Sequence, residues 1–200
     1  MKKGLEVRRQ LAHLMCGTLI ICLYIAVLFF LPNLNPLIPA LFLAVLGVKF
    51  ALLAELNLVH KIPGINFLVN FLEREENVKS FPGKGYIMFL FGCAVSIFVF
   101  PPLIALSAMA IVTYGDATAT LFGRWFGKIK FKNGKSLEGS LAGFFFSLIA
   151  TSVFIPFFDA FIACFVAAVI EGSSNNNFLF DDNFFIPIFA GLTLLILGGF

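Results

Sequence analysis

Charge is what this sequence has least of. Only 12% of its 200 residues are Asp, Glu, Lys or Arg, about half the share of a soluble chain. That scarcity excludes a soluble globular domain, and it equally excludes a disordered segment, which needs high charge and low hydrophobicity. Histidine is nearly absent: His13 and His60 are the only two, and neither belongs to a Ser-His-Asp arrangement. The four cysteines, Cys16, Cys22, Cys93 and Cys164, lie inside apolar runs without metal-ligand spacing. They read as reduced thiols and exclude a disulfide scaffold.

What remains is apolar. Hydrophobic residues make up 60% of the chain, mean hydropathy is +0.99, and Phe alone occurs 28 times. The solvent implied is a lipid bilayer. A net charge of +3 then reflects membrane orientation rather than attraction to nucleic acid.

A helix needs about 20 apolar residues to cross the hydrocarbon. Candidate spans are 10–31, 37–59, 85–100, 102–123, 140–157, 159–174 and 184–200, separated by Pro32 and Pro36, Pro63 and Gly64, Pro101 and Pro102, and Pro156. The first run is too long for a signal peptide and has no small-residue cleavage site. The expected fold is all-α, a polytopic transmembrane helical bundle of seven spans, with six as the alternative, in one domain over 1–200. Of the Lys and Arg residues only Lys49 falls within a span. The others precede span 1 or lie between spans 2 and 3 or 4 and 5. This alternation places the N-terminus in the cytoplasm of a multi-pass protein, in the plasma membrane of a prokaryote or its equivalent. The long connections are on the cytoplasmic side, where the active site is therefore expected. The apolar stretch Ile65–Leu72 reads as an interfacial helix.

Ionisable residues inside spans are costly and point to function. Lys49 reads as structural, and Glu55 is as compatible with simple interfacial exposure as with function. Asp116 is more informative, because Thr120, Gly123 and Gly127 follow it on one helical stripe. A carboxylate, a hydroxyl and two glycines permit close approach of backbone, phosphate or metal, although small residues also serve helix packing. The loop that follows is dense in lysine and glycine. Its Gly134-Lys135-Ser136 triplet is not a P-loop, since Ile129 stands where the first glycine is needed. A third cluster comprises Glu171, the polar run through Asn175, Asn176 and Asn177, and then Asp181, Asp182 and Asn183. Hard oxygen ligands on converging elements suit Mg2+. This inventory fits metal-assisted transfer of a phosphorus group to or from a membrane-dissolved molecule.

Gly115-Asp116-Ala117 with Ala119, Gly123-Arg124, Phe126-Gly127-Lys128, Lys135-Ser136 and Glu138-Gly139-Ser140 resemble the central signature of the dolichol kinase, phytol kinase and CTP-dependent diacylglycerol kinase family. Glu6, Arg8-Arg9 and His13 are similar to its N-terminal pattern, with Arg9 where Lys is common. Glu171 with Asp181-Asp182-Asn183 resembles its last motif.

The resemblance implies phosphoryl transfer, often from CTP, to the hydroxyl of a polyprenol, an isoprenoid alcohol or diacylglycerol, with Mg2+ or Mn2+ as cofactor. It implies Asp116, Asp182 and Glu171 as catalytic residues, and Asp116, Asp181, Asp182 and Asn183 around the metal. It implies nucleotide contacts from Gly115, Thr120, Gly123, Arg124, Gly127, Lys128, Lys135, Ser136, Glu138, Gly139 and Ser140. The partners are a nucleoside triphosphate and a lipid alcohol. A cytidylyltransferase making a CDP-lipid would need nearly the same parts. A transporter would string polar residues across both halves of the bilayer, and here nearly all are in the inner half.

Overall fold

The computed structural model describes residues 2–174 and 181–198. Asn175, Asn176, Asn177 and the last two residues of the span expected at 184–200 lie outside the described residues. Among the described residues the chain is all-helical, without a β-strand. The helices are α1 (Lys2–Phe30), α2 (Leu37–Glu55), α3 (Pro63–Leu72), α4 (Glu75–Ser80), α5 (Lys84–Val99), α6 (Pro102–Trp125), α7 (Leu137–Thr151), α8 (Phe157–Ser173) and α9 (Asp182–Leu197), with a 3-10 turn at Val59–Lys61.

Each expected span coincides with a helix, and the expected interfacial segment forms α3. The 3-10 turn and α4 are additions. The ends differ for local reasons. α1 begins eight residues before the span expected at 10, because nothing between Lys2 and Arg9 breaks a helix. α2 stops at Glu55, and Asn57 beyond it turns the chain with φ of 52°, a left-handed conformation that Asn tolerates better than most residues. α7 starts at Leu137, where the Ser136 hydroxyl accepts the Gly139 N–H, and it ends before Pro156.

Among the described residues only α1 from Gly4, α2 and α6 are long and apolar enough to cross a membrane by length and composition. α5, α7 and α9 have 16, 15 and 16 residues, about 22–24 Å at 1.5 Å per residue. The seven expected spans therefore correspond to seven helices, of which three meet the length of a full crossing.

α6 is the centre of the bundle. Of its most apolar stretch 72% is buried, against 22% for α1 and for α2. Ala105, Ala108, Met109, Ala110 and Val112 are sealed from solvent, and α6 packs against α1, α5, α7, α8 and α9. The outward faces of α1 and α2 carry Phe29, Phe30, Phe42 and Val45, apolar side chains suited to lipid.

Close crossings rest on small residues. A Cβ at Gly143 would lie 2.8 Å from the Gly115 carbonyl oxygen, and one at Gly139 would lie 2.6 Å from that of Ala119. α6 and α7 therefore meet backbone to backbone, as glycine-lined membrane helices do. Gly17 of α1 likewise admits Thr113 of α6, and Gly92 of α5 admits the Asn183 carbonyl. Pro187, one turn into α9, has no N–H to pair with that carbonyl.

Candidate functional site: a polar cavity at one end of the bundle

The N-terminal third of α1 carries Glu6, Gln10 and His13 at helical spacing, with Gly17 next in the series. This face turns inward: Glu6, Gln10 and His13 are each at least nine-tenths buried. Glu6 is held by three arginines. Arg74 forks onto it, its Nε donating to Oε1 at 3.0 Å and its Nη2 to Oε2 at 2.8 Å. Arg9 Nη1 lies 3.3 Å from Oε1, and Arg124 Nη1 lies 3.0 Å from Oε2. The arginines come from α1, from the two-residue connection between α3 and α4, and from the last turn of α6. Glu73 beside Arg74 fixes that connection, accepting from the Arg74 N–H, from Asn77 Nδ2 and from the Gly83 N–H. His13 packs edge-on to Phe89 at 4.6 Å, and its Nε2 has no partner.

The link between α6 and α7 folds back tightly. The Phe131 N–H bonds the Lys135 carbonyl, the Gly134 N–H bonds the Phe131 carbonyl, and the Leu137 N–H bonds the Ile129 carbonyl. Gly134 takes φ of 85°, a conformation that favours glycine. Asn133 Nδ2 then donates to the Gly172 and Ser174 carbonyls, occupying acceptors that the end of α8 leaves open. The Gly134-Lys135-Ser136 triplet thus serves as a turn glycine, a central lysine and a helix cap.

Lys135 joins three elements. Its Nζ donates to the Glu171 carbonyl at 2.7 Å, to Ser174 Oγ at 2.9 Å and to Asp182 Oδ2, and it lies 3.1 Å from Glu171 Oε1. Burial opposes the charge of this ammonium, but the Glu171 and Asp182 carboxylates more than offset it and hold its pKa above the usual lysine range. Glu171 Oε2 accepts from Ser140 Oγ at 2.8 Å. At the start of α9, Asp181 accepts from the Asn183 backbone and side chain and lies 3.4 Å from Lys84 Nζ. Burial pushes the Asp181 carboxyl above its ordinary pKa despite Lys84.

These groups surround one cavity of about 600 Å³. Asp116 lies on its wall, with Thr120, Gly123 and Arg124 farther along α6. A second, much smaller crevice of about 20 Å³, room for about one water molecule, lies beside it between α6, α7, α8 and α9. Asp116, Ala119, Ser140 and Glu171 line both, and the crevice is also lined by Phe144, Ala167 and Ile186. Asp116 therefore stands where the polar chamber borders the apolar interior of the bundle.

Of the residues singled out in the sequence, Glu6, Arg9, His13, Asp116, Thr120, Gly123, Arg124, Lys135, Ser136, Gly139, Ser140, Glu171, Asp181, Asp182 and Asn183 line the cavity. Gly115, Gly127, Lys128 and Glu138 do not. Gly115 faces Ser147 and Gly143 of α7. Gly127 lies beyond the last turn of α6, so the stripe begun at Asp116 ends on the helix at Gly123. Lys128 is exposed, and Glu138 accepts the Ile129 N–H at 3.2 Å, bracing the link from outside. Lys49 and Glu55 are exposed on α2, away from the cavity.

Gln10, Arg74, Lys84, Tyr86, Lys130 and Asn133 also line the cavity and were not anticipated. Gln10 was visible in principle, one turn from Glu6 and about one from His13. Arg74 and Lys84 had been accounted for by topology alone.

No group of three His, Cys, Asp or Glu side chains among the described residues is placed to hold a metal ion. Asp181 pairs with Lys84 and Asp182 with Lys135. The donors still fit an ion that arrives with a polyphosphate, since Mg2+ takes one or two carboxylates and completes its shell with phosphate oxygens and water. Asp116 and Asp182 share the cavity, and the buried Asn183 Oδ1 beside them has no partner.

The chain is similar to an uncharacterized protein of Methanocaldococcus jannaschii, 31% identical over 193 residues that cover 94% of this chain and 92% of that protein. The two belong to one family. The chain is also similar to CTP-dependent diacylglycerol kinase 1 of Eremothecium gossypii, at 25% identity over 94% of this chain and 65% of the kinase. A lipid kinase is thus among the distant relatives of the family. No family model matches the sequence, and no solved structure matches it.

Proposed function

We propose that the protein is a multi-pass membrane lipid kinase. It transfers the terminal phosphoryl group of CTP to the hydroxyl of a membrane lipid alcohol at the cytoplasmic face, with Mg2+ or Mn2+ as cofactor. The observation that carries this reading is the position of Asp116, on the wall of the polar cavity where that cavity borders the apolar interior of the bundle. A water-soluble donor and a lipid acceptor need such a junction, and a carboxylate at it can hold the acceptor hydroxyl in line. The distant diacylglycerol kinase supports both CTP and a lipid substrate, and makes diacylglycerol the first acceptor to try. Polyprenols and other isoprenoid alcohols follow.

In this reading Asp116 and Asp182, with Asn183, are the residues that would hold the metal, and a bound Mg2+ or Mn2+ would supply neutralisation of the phosphate charge. Lys135 sits at the donor's phosphates, placed there by Glu171 and Asp182. Glu171 is itself fixed by Ser140, so it orients the lysine. Asp116 receives the acceptor hydroxyl and takes its proton late, as the loose transition state of phosphoryl transfer requires. Most of the acceleration comes from positioning and electrostatics.

Product analysis with purified protein, CTP and diacylglycerol tests this. CDP plus lipid phosphate is the expected outcome. Pyrophosphate plus a CDP-lipid would make the protein a cytidylyltransferase, and no lipid product with any acceptor would overturn the reading.

A further inference from the structure

A buried carboxylate is out of place in a cavity that receives a polyanion, yet Glu6 is one of the most enclosed charges lining it. Its side chain is 3% exposed, while those of Arg9, Arg74 and Arg124 are 23%, 42% and 34% exposed. Three long cationic side chains from three separate elements would otherwise repel one another and sample many rotamers. Glu6 draws all three guanidinium groups to one point and fixes their planes, and Arg74 is held by two parallel bonds. A planar guanidinium presents its donors in a fixed fork that matches phosphate.

Position decides which part of an anion this cluster meets. Arg124 lies eight residues beyond Asp116 on α6, about 12 Å along the axis. The cluster is therefore displaced from Asp116 toward the polar end of the bundle, and Lys135 and Asp182 belong to other elements.

We propose that Glu6 is the positioning residue of an arginine subsite, formed by Arg9, Arg74 and Arg124, that binds the diphosphate portion of the nucleotide. This rests on the nucleotide-dependent reading above. The terminal phosphoryl group lies toward Asp116, and the diphosphate that leaves with CDP lies toward the arginines. There they meet the charge that develops on the leaving oxygen. Arg74 belongs to the connection between α3 and α4, so this segment supplies one wall of the nucleotide site.

The test is equilibrium binding of CTP, CDP and CMP to the purified full chain in detergent, for the wild type, Glu6→Gln and Arg74→Gln. Glu6→Gln makes the cavity more positive, so simple attraction predicts tighter binding of polyphosphates. A positioning role predicts the reverse: CTP and CDP weaken by about tenfold or more in both variants, as expected for loss of charged hydrogen bonds, while CMP changes by less than about twofold. Unchanged or tighter CDP binding by Glu6→Gln overturns the proposal, as does an equal loss for CMP. Should Glu6→Gln not fold, Arg74→Lys retains the charge without the fork and must still weaken CDP binding, or the proposal falls. A wild type that binds nucleotides without phosphorylating any lipid refutes the kinase reading and leaves this subsite standing. A wild type that binds neither CTP nor CDP refutes both.

Discussion

The Lys135 ammonium donates to the Asp182 carboxylate, closing the link between α6 and α7 onto the first turn of α9. Both side chains are at least four-fifths buried, so neither ion is left to solvent. Removing one partner of a buried pair typically costs about 3–5 kcal/mol, because the other charge stays behind unpaired. Lys135→Met should lower the thermal midpoint of the purified protein and reduce phosphoryl transfer by at least about a hundredfold. A variant with wild-type melting and activity would remove Lys135 from both roles.

The glycines separate packing from ligand approach. Gly143→Ala places a methyl group against the Gly115 backbone, and α6 and α7 can accommodate it only by moving apart. It should destabilise the protein by roughly 1–3 kcal/mol, the usual cost of overpacking. Gly115→Ala meets its nearest atom, Ser147 Cβ, at 3.5 Å, an ordinary contact, and should keep both stability and activity. Thermal melts of the two variants, with activity measured alongside, check the contrast. An inactive but stable Gly115→Ala would return Gly115 to the nucleotide site.

Lys49 and Glu55 were candidates because charge inside an apolar run is unusual. Both lie exposed on α2, outside the cavity lining. Lys49→Met and Glu55→Gln should each leave the specific transfer rate within about twofold, the scale of a surface substitution. A large loss in either would show that α2 takes part in the chemistry.

The helical elements were legible because apolar run length and proline placement act locally. Seven runs and the amphipathic stretch at Ile65 all became helices, and only their ends moved, at Asn57, Ser136 and Trp125. Full membrane crossing was less legible, since α5, α7 and α9 are shorter than the hydrocarbon is thick and their fit depends on neighbours. In the site, Asp116, Glu171 and Asp182 stood out because carboxylates are expensive in apolar surroundings. Arg74 did not, because a positive residue in a connecting segment is already explained by orientation. Its pairing with Glu6, 68 residues away, arises only when α3 docks on α1. Gly115 and Gly123 were ambiguous for a similar reason: a glycine stripe looks the same whether a phosphate or another helix approaches it, and Gly143 resolves the first.

Chelation distinguishes a metal carried by the nucleotide from one held by protein alone. Asp116 and Asp182 supply too few donors for a tight all-protein Mg2+ site. EDTA should abolish transfer, and Mg2+ added together with CTP should restore it at once, without a shift in the melting temperature of the nucleotide-free protein. A metal-dependent melt in the absence of nucleotide would indicate a resident structural ion instead.

The most direct measurement is transfer of the radiolabelled terminal phosphate of CTP to diacylglycerol, comparing wild type with Asp116→Asn in membranes containing equal amounts of inserted protein. Asn nearly preserves the shape of Asp116 and removes its charge and its capacity to accept a proton. The expected result is labelled lipid phosphate from the wild type and at least about a hundredfold less from the variant. Near-normal labelling by Asp116→Asn would contradict the placement of the chemistry where the polar cavity borders the apolar interior of the bundle.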